Sequence, residues 1–414
     1  MGFGAVALRV VGGVATLWDE ARTRLKLRLG LTSPPILLPY RGYVAKGRVY
    51  VSGRVVEDEG VVGAPPSRSR WTNLKRSFRR YETDEIRGAR VDWRLGTQAG
   101  TVETDREGFF AVEAPFDPGL LQGPRSHETG SQGTVSQEPW VPVELTLREA
   151  PFYEVEPATR EAPVRLVSSE AAFLVVSDLD DTVIETGARH LLTHLRTVAL
   201  NSAEGRVAFP GVASFLRALA AGRGGPDTNP IFYVSSSPWN LYEVFEDFMR
   251  LRAIPHGAMF LKDFGLSRTQ WLTGSHRRHK LAAIDHILSA YPHLPVVLVG
   301  DTGQSDGPIY AEIVRQQGAR VLAVYLRDVT PKGFQPRLRR AIEEIEAAGI
   351  PFVSGPTLEK AAAHAEAAGL VEPGAAERMA EDIRLDEDTR QKGASAARGR
   401  FKRRALRERP EEGG

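Results

Sequence analysis

Two textures of hydrophobic patterning divide the chain. From Ile36 to about Leu166, apolar and polar residues alternate over short runs. Val49, Val51, Gly53 and Val55 fall in one such stretch, and a period of two marks a strand with one buried face. The segment "GTVETDREGFFAVEAPF" predicts two strands joined by a turn at Asp105–Gly108. "WVPVELTL" predicts a further strand from Trp140 to Leu147. An Arg-rich stretch (Ser67 to Arg80) and a Gly/Ser/Gln/Pro stretch (Pro118 to Pro139) interrupt the pattern as surface insertions. Short strands separated by turns predict a small β-sandwich-like domain over residues 36–166.

From Ala172 the texture changes. Continuous apolar runs, "FLVVS", "IFYVS", "AMFL", "PVVLVG" and "RVLAVYL", alternate with helical patterns at Gly211–Ala221, Leu241–Leu251 and Lys280–Tyr291. Such runs suit strands buried on both faces, so residues 172–371 predict an open α/β sheet covered by helices. Ligands of such sheets sit at the carboxyl ends of the strands, which is where chemistry is to be sought.

The ends of the chain differ from both parts. Residues 1–30 predict an N-terminal amphipathic helix, docked either on its own domain or on a membrane surface. The apolar run there is shorter than a spanning helix needs and lacks the basic start of a signal peptide, so no transmembrane segment is expected. Residues 372–414 are rich in Ala, Glu and Arg and predict a charged, disordered tail. The net charge over 414 residues is only +2, which points to no nucleic-acid partner. The absence of cysteine excludes disulfides, thiolate metal sites and cysteine nucleophiles.

Four of the apolar runs end in chemistry. The first ends in Asp178, Asp180 and Asp181 with Thr182 beside them. Carboxylates this crowded repel one another, and a hard divalent cation with oxygen ligands relieves the repulsion. The other reading is a turn whose Asp residues only cap the backbone. The second run ends in Ser235, Ser236 and Ser237, followed by Pro238 and Trp239. Hydroxyls and backbone N–H groups there suit phosphate oxygens, and equally suit an ordinary helix start. Lys280 follows in "HRRHK", and the fourth run ends in Gly300 and Asp301, with Asp306 five residues on.

The order paired Asp, Ser, Lys, paired Asp resembles the haloacid dehalogenase superfamily. "DLDDTV", "RTVALNSAEGRVAFPGV", "YVSSSPWNLY", "FLKDFG" and "VGDTGQSDGPIYAEIV" narrow it: Ala172 to Asp328 is similar to the catalytic domain of the actin-patch-type (App1-like) phosphatidate phosphatases. Upstream "ILLPYRGY" is similar to bacterial members. The resemblance implies a Rossmann-like core with a minimal cap, since Val183 to Pro230 leaves no room for a large one. It implies Asp178 as nucleophile, Asp180 as general acid and base, and Thr182 as support for the loop. Ser235, Ser236 and Lys280 are implied to hold the phosphoryl group. Mg²⁺ is implied on Asp178, the carbonyl of Asp180, Asp301 and Asp306. Trp239 and Tyr242 are left between flanking the entrance and packing in the core. The implied reaction is hydrolysis of phosphatidate to diacylglycerol and phosphate, in the cytoplasm and with peripheral contact to a membrane surface. A phosphatase for another phosphomonoester (protein, nucleic-acid end or soluble metabolite) and a non-catalytic lipid- or protein-binding module are the alternatives.

Overall fold

Strands of the two textures build two different sheets. The computed structural model describes residues 32–58, 85–121, 139–179, 211–262, 276–303, 305–330 and 333–385. Eight strands of the first texture are β1 (Pro35–Pro39), β2 (Gly42–Ala45), β3 (Arg48–Glu57), β4 (Arg90–Leu95), β5 (Gln98–Glu103), β6 (Phe109–Pro115), β7 (Trp140–Glu149) and β8 (Ala158–Arg165). They form one connected sheet in the order β1-β3-β2-β8-β7-β4-β5, with β6 on the remaining edge of β3. All pairs are antiparallel except β2 with β8. The alternating apolar residues face inward: Val49, Val51, Val55, Val91, Val143 and Leu145 share one apolar cluster.

The turn at Asp105–Gly108 forms, and the Asp105 carboxylate accepts the amides of Glu107 and Phe109 at 2.9 Å each. Its two strands do not pair with each other. Val55 N–H donates to the carbonyl of Gly108 at 2.8 Å, which hands β6 to β3, while β5 pairs with β4.

The second sheet is wholly parallel. It comprises β9 (Leu174–Asp178), β10 (Ile231–Pro238), β11 (Ala258–Lys262), β12 (Val296–Asp301), β13 (Val321–Arg327) and β14 (Phe352–Gly355). Their order is β11-β10-β9-β12-β13-β14. The chain builds outward from β9 to one side and returns to build outward from β12 on the other. The reversal therefore falls between β9 and β12, where an open α/β sheet leaves a crevice. Residues of alternate parity enter separate clusters, Val175 and Tyr233 in one and Leu174, Val176 and Phe232 in the other. The first cluster takes α1 (Val212–Ala221), α2 (Tyr242–Arg252) and α6 (Glu359–Ala367); the second takes α3 (His276–Ala290), α4 (Asp306–Gln317) and α5 (Pro336–Ala347). α3 starts four residues before the expected position, so Lys280 lies in its second turn.

The boundary expected at 371 needs correction. Residues 375–385 form a helix, here α7, whose Ala375, Met379 and Ile383 are buried in the first cluster. Those apolar residues recur every four positions, which is a helical stripe despite the charged composition. Gly211, at φ 78°, sits against Met379 and Ile383, leaving no space for a side chain there. Residues 1–31, 59–84 and 386–414, with the expected N-terminal helix, the Arg-rich stretch Ser67–Arg80 and the rest of the expected tail, lie outside the described residues.

The two sheets are joined through "ILLPYRGY". Tyr40 lies 4.7 Å from Trp239, stacked, and 4.2 Å from Tyr242. Trp239 and Tyr242 thus pack in the core. Tyr43 hydroxyl and His286 Nε2 share a hydrogen bond at 2.6 Å, and Tyr291 donates to the carbonyl of Val44 at 2.8 Å. Arg41 N–H donates to the Tyr242 hydroxyl at 2.7 Å, and its guanidinium pairs with Glu246 at 2.9 Å. Burial disfavours the charge on Glu246, but His256 and Arg41 outweigh it and hold its carboxyl below the usual range.

Two measurements follow from this packing. Ending the chain at Val371 deletes three buried side chains, and losses of about 2–5 kcal/mol per large aliphatic group predict a much lower melting temperature. A chain ending at Leu385 keeps those contacts and is expected to melt well above it. Because the folded pKa of Glu246 is depressed, its ion pair stabilises above the ordinary value of 4.5 and is lost as pH falls below it. Melting temperature against pH is expected to fall more steeply below 4.5 in the native chain than in Glu246→Gln.

Candidate active site

Parallel pairing sets the heights of the side chains at the crevice. Val234 of β10 lies opposite Asp178, the last residue of β9, so Ser235 is one step beyond it. On the other flank Val299 pairs with Ser177, which puts Gly300 level with Asp178 and Asp301 one step beyond. Three neighbouring strands therefore deliver Asp178, Ser235 and Asp301 to one edge of the sheet. The five-residue step to Asp306 opens α4, whose first turn returns that carboxylate to the strand end: Asp301 N–H donates to Asp306 Oδ2 at 3.2 Å. Gly300 is required by the close approach, since a Cβ there would lie 2.7 Å from Asp306 Oδ2.

The carboxylates of Asp178, Asp301 and Asp306 are all buried, with oxygens within 4.8 Å of one another. Lys280, 4% exposed, reaches between them from α3. Its ammonium donates to Asp178 Oδ1 and Asp306 Oδ1 at 2.7 Å each. Among the described residues three carboxylates meet around this ammonium, and an all-oxygen donor set of this density could hold a hard cation. Tyr310 lies behind the cluster and donates to the carbonyl of Val299 at 2.7 Å. Burial, and then the charges of Asp306, Asp178 and Asp301, push its phenol well up, so it stays a neutral donor.

On the adjoining strand Ser235 Oγ accepts the amide of Ser237 at 2.8 Å. The Ser236 hydroxyl oxygen is buried with no hydrogen-bond partner among the described residues. Asp180, Asp181 and Thr182 lie outside the described residues, as does the stretch 183–210 on which the minimal cap rests.

One group at this edge escaped sequence reasoning. Asp328 follows β13 and accepts Thr302 Oγ1 at 2.9 Å, Thr330 N–H at 2.9 Å and Thr330 Oγ1 at 2.8 Å. Thr302 Oγ1 in turn accepts Val329 N–H at 3.0 Å, and Gly303 N–H donates to Asp301 Oδ1 at 2.5 Å. This net fixes the turn that carries Asp301. Burial opposes the Asp328 charge, yet the bonds from Thr330 and Thr302 hold its carboxyl below the usual range. The signal was available: "DVT" directly follows the apolar run of β13.

These features define an α/β domain with an acidic centre at the carboxyl end of a parallel sheet. The domain is APP1-like: residues 173–328 match the family model described as phosphatidate phosphatase APP1, catalytic domain. The chain is 27% identical over 186 residues to Phosphatidate phosphatase APP1 of Saccharomyces cerevisiae, covering 45% of this chain and 30% of that one. It is 27% identical over 168 residues to an uncharacterized protein of Schizosaccharomyces pombe, covering 37% and 25%. The chain thus spans less than a third of the length of either relative. A solved carbohydrate acetylesterase from Xanthomonas citri aligns at 12% identity over 75% of this chain and 74% of its own, with a TM-score of 0.22, too low to support any argument.

The ion pairs of Lys280 generate a stability test. Lys280→Met leaves the buried carboxylates without their ammonium, and breaking such a pair costs about 3 kcal/mol or more. Chemical denaturation is expected to report that loss in metal-free protein. Added divalent cation is expected to raise the melting temperature of the variant.

Proposed function

We propose that this chain is a phosphatase of the haloacid dehalogenase type that hydrolyses phosphatidate, with Asp178 as the nucleophile. The observation that carries the proposal is the convergence of Asp178, Asp301, Asp306 and Lys280 at one strand edge, inside the segment that matches the APP1 catalytic domain. The strand order, with its reversal beside Asp178, supports a Rossmann-like core. The enclosed valine cluster supports a β-sandwich-like accessory domain over residues 36–166, followed by a catalytic domain from 172 that extends to at least 385.

In this mechanism an oxygen of Asp178 attacks phosphorus, forming an aspartyl phosphate as the lipid alkoxide leaves. Asp180, two residues on, gives that alkoxide its proton. It then takes a proton from the water that hydrolyses the intermediate, so phosphate departs and both carboxyls return to their starting states. Lys280 holds phosphoryl oxygens, as do the hydroxyls of Ser235 and Ser236, and Thr182 supports the loop. The buried, unpartnered Ser236 oxygen fits that task. The dense oxygen donor set fits Mg²⁺, which Asp178, Asp301 and Asp306 would hold together with the carbonyl of Asp180. Once bound, Mg²⁺ supplies neutralisation of the charge on the phosphoryl group.

Phosphatidate as substrate rests on the relative's name and on the matching domain. No described helix is long and apolar enough to cross a membrane. A peripheral approach to the bilayer, in a cytoplasmic setting, is part of the proposal.

The test presents phosphatidate in mixed vesicles beside soluble sugar phosphates, nucleotides and a phosphopeptide, with and without EDTA. Phosphate release from phosphatidate is expected to dominate and to vanish in EDTA. Asp178→Asn and Asp180→Asn are expected to lower turnover on the order of a thousandfold or more with the fold retained. Faster turnover of a soluble phosphate than of every lipid phosphate would remove the substrate assignment. Wild-type-like release by folded Asp178→Asn would remove the mechanism.

A further inference from the structure

We infer that the first sheet is part of the working site: Arg54 and Tyr40 are positioning residues that hold the Ser235–Ser237 segment in place. The inference rests on the proposed phosphoryl-holding role of that segment. Its starting point is an irregularity in β10. The ladder to β9 ends at Val234, and on the other side the register shifts, with Val234 opposite Phe260 but Pro238 opposite Lys262. Four residues of β10 thus advance against two of β11, and the serines occupy the bulge. A bulged segment is aimed by what fixes its two ends.

The near end is fixed by the pairing of Val234 with Asp178. The far end is fixed by the other sheet. Pro238, with its φ at −72°, leads into a 3₁₀ turn over Trp239–Leu241, so few soft torsions separate Ser237 from Trp239. Trp239 stacks on Tyr40 at 4.7 Å and meets Phe109 edge-on at 6.3 Å. Asn240 Oδ1 accepts a hydrogen bond from Arg54 Nη1 at 2.6 Å. Arg54 is itself buried, at 6% exposure. It also donates to the Glu107 carbonyl at 2.8 Å and to Glu85 at 2.8 Å, and lies over the face of Phe109 at 4.6 Å.

Burying a guanidinium contributes little net stability over an apolar side chain of similar volume. What its planar fork supplies is direction. Here that direction runs from the first sheet to Asn240, three residues past the last serine. Tyr40 and Arg54 therefore act on the site through Trp239 and Asn240, without touching substrate.

The test compares full-length wild type, Arg54→Met, Asn240→Ala and the double variant, with Arg148→Met as a control on the solvent face of β7. KM for a phosphate ester and the inhibition constant of inorganic phosphate are expected to rise together by about tenfold in Arg54→Met and Asn240→Ala, with kcat less affected. The double variant is expected to be no worse than either single one, because both remove the same bond. Hydrogen exchange at the amides of 236, 237 and 239–241 is expected to quicken, while amides 212–221 of α1 stay as in wild type. Unchanged KM and unchanged protection in folded Arg54→Met overturn the inference, as does a uniform loss of protection across the chain. If Arg54→Met does not fold, Asn240→Ala decides on the same readouts. If wild type hydrolyses no phosphate ester, the phosphatase proposal fails, and exchange at 236–241 alone decides whether the first sheet fixes this segment.

Discussion

Three carboxylates held out of water at one strand edge are the constraint around which the second sheet is organised. Adjacent parallel strands stand about 4.8 Å apart, so ending two of them in Asp forces like charges together. The sheet cannot relax the crowding by moving apart, because β9 and β12 are its buried centre. Compensation must come from other elements. α3 delivers the Lys280 ammonium, and the backbone amides of Asp301 and Gly303 donate to carboxylate oxygens at the same edge. Tyr310 closes the back of the site as a neutral donor. Gly300 lets Asp306 approach the strand closely enough to join. Among the described residues the three carboxylates still form a dense oxygen donor set that could hold a metal ion.

Much of this was legible along the chain, for a reason that also limits it. Apolar runs announce β9 to β13 because each is buried on both faces, and candidate site residues are to be sought where the runs end. Asp178 and Asp301 are legible in this way, Lys280 and Asp306 by their place in the motif order, and the structure brings these four together. β14 went unnoticed because it is short, sits at the sheet edge and is only half-buried. Asp328 belongs to none of the four motifs, although it directly follows the apolar run of β13. The boundary at 371 was drawn on composition, and charge hid the four-residue spacing of Ala375, Met379 and Ile383. Pairings such as β6 with β3 are not local, and nothing in the turn at Asp105–Gly108 reveals that its two strands part company.

The joint between the sheets was the least legible feature. "ILLPYRGY" carries a resemblance to bacterial members but no sign of its contacts, yet Tyr40 enters one apolar cluster of the second sheet and Tyr43 the other. Aromatic pairs of this kind contribute about 0.5–1.5 kcal/mol each beyond their burial, so the joint is a substantial part of the stability of both units. Arg41 and Glu246 add a charged pair that is desolvated enough for its acid dependence to be measurable.

The sequence distance across that joint has a consequence during synthesis. Arg41 and its partner Tyr242 are 201 residues apart. At about 5–20 residues per second, a ribosome needs roughly 10–40 s to make the stretch between them. The first sheet is complete only once β8 has been made, and for the roughly 4–15 s that then pass before Tyr242 is made, Tyr40, Tyr43 and Phe109 would face water uncovered. Such a chain is exposed to premature association with other nascent chains until α2 and α3 emerge, and holding chaperones acting in that window would have these three rings as their natural grip.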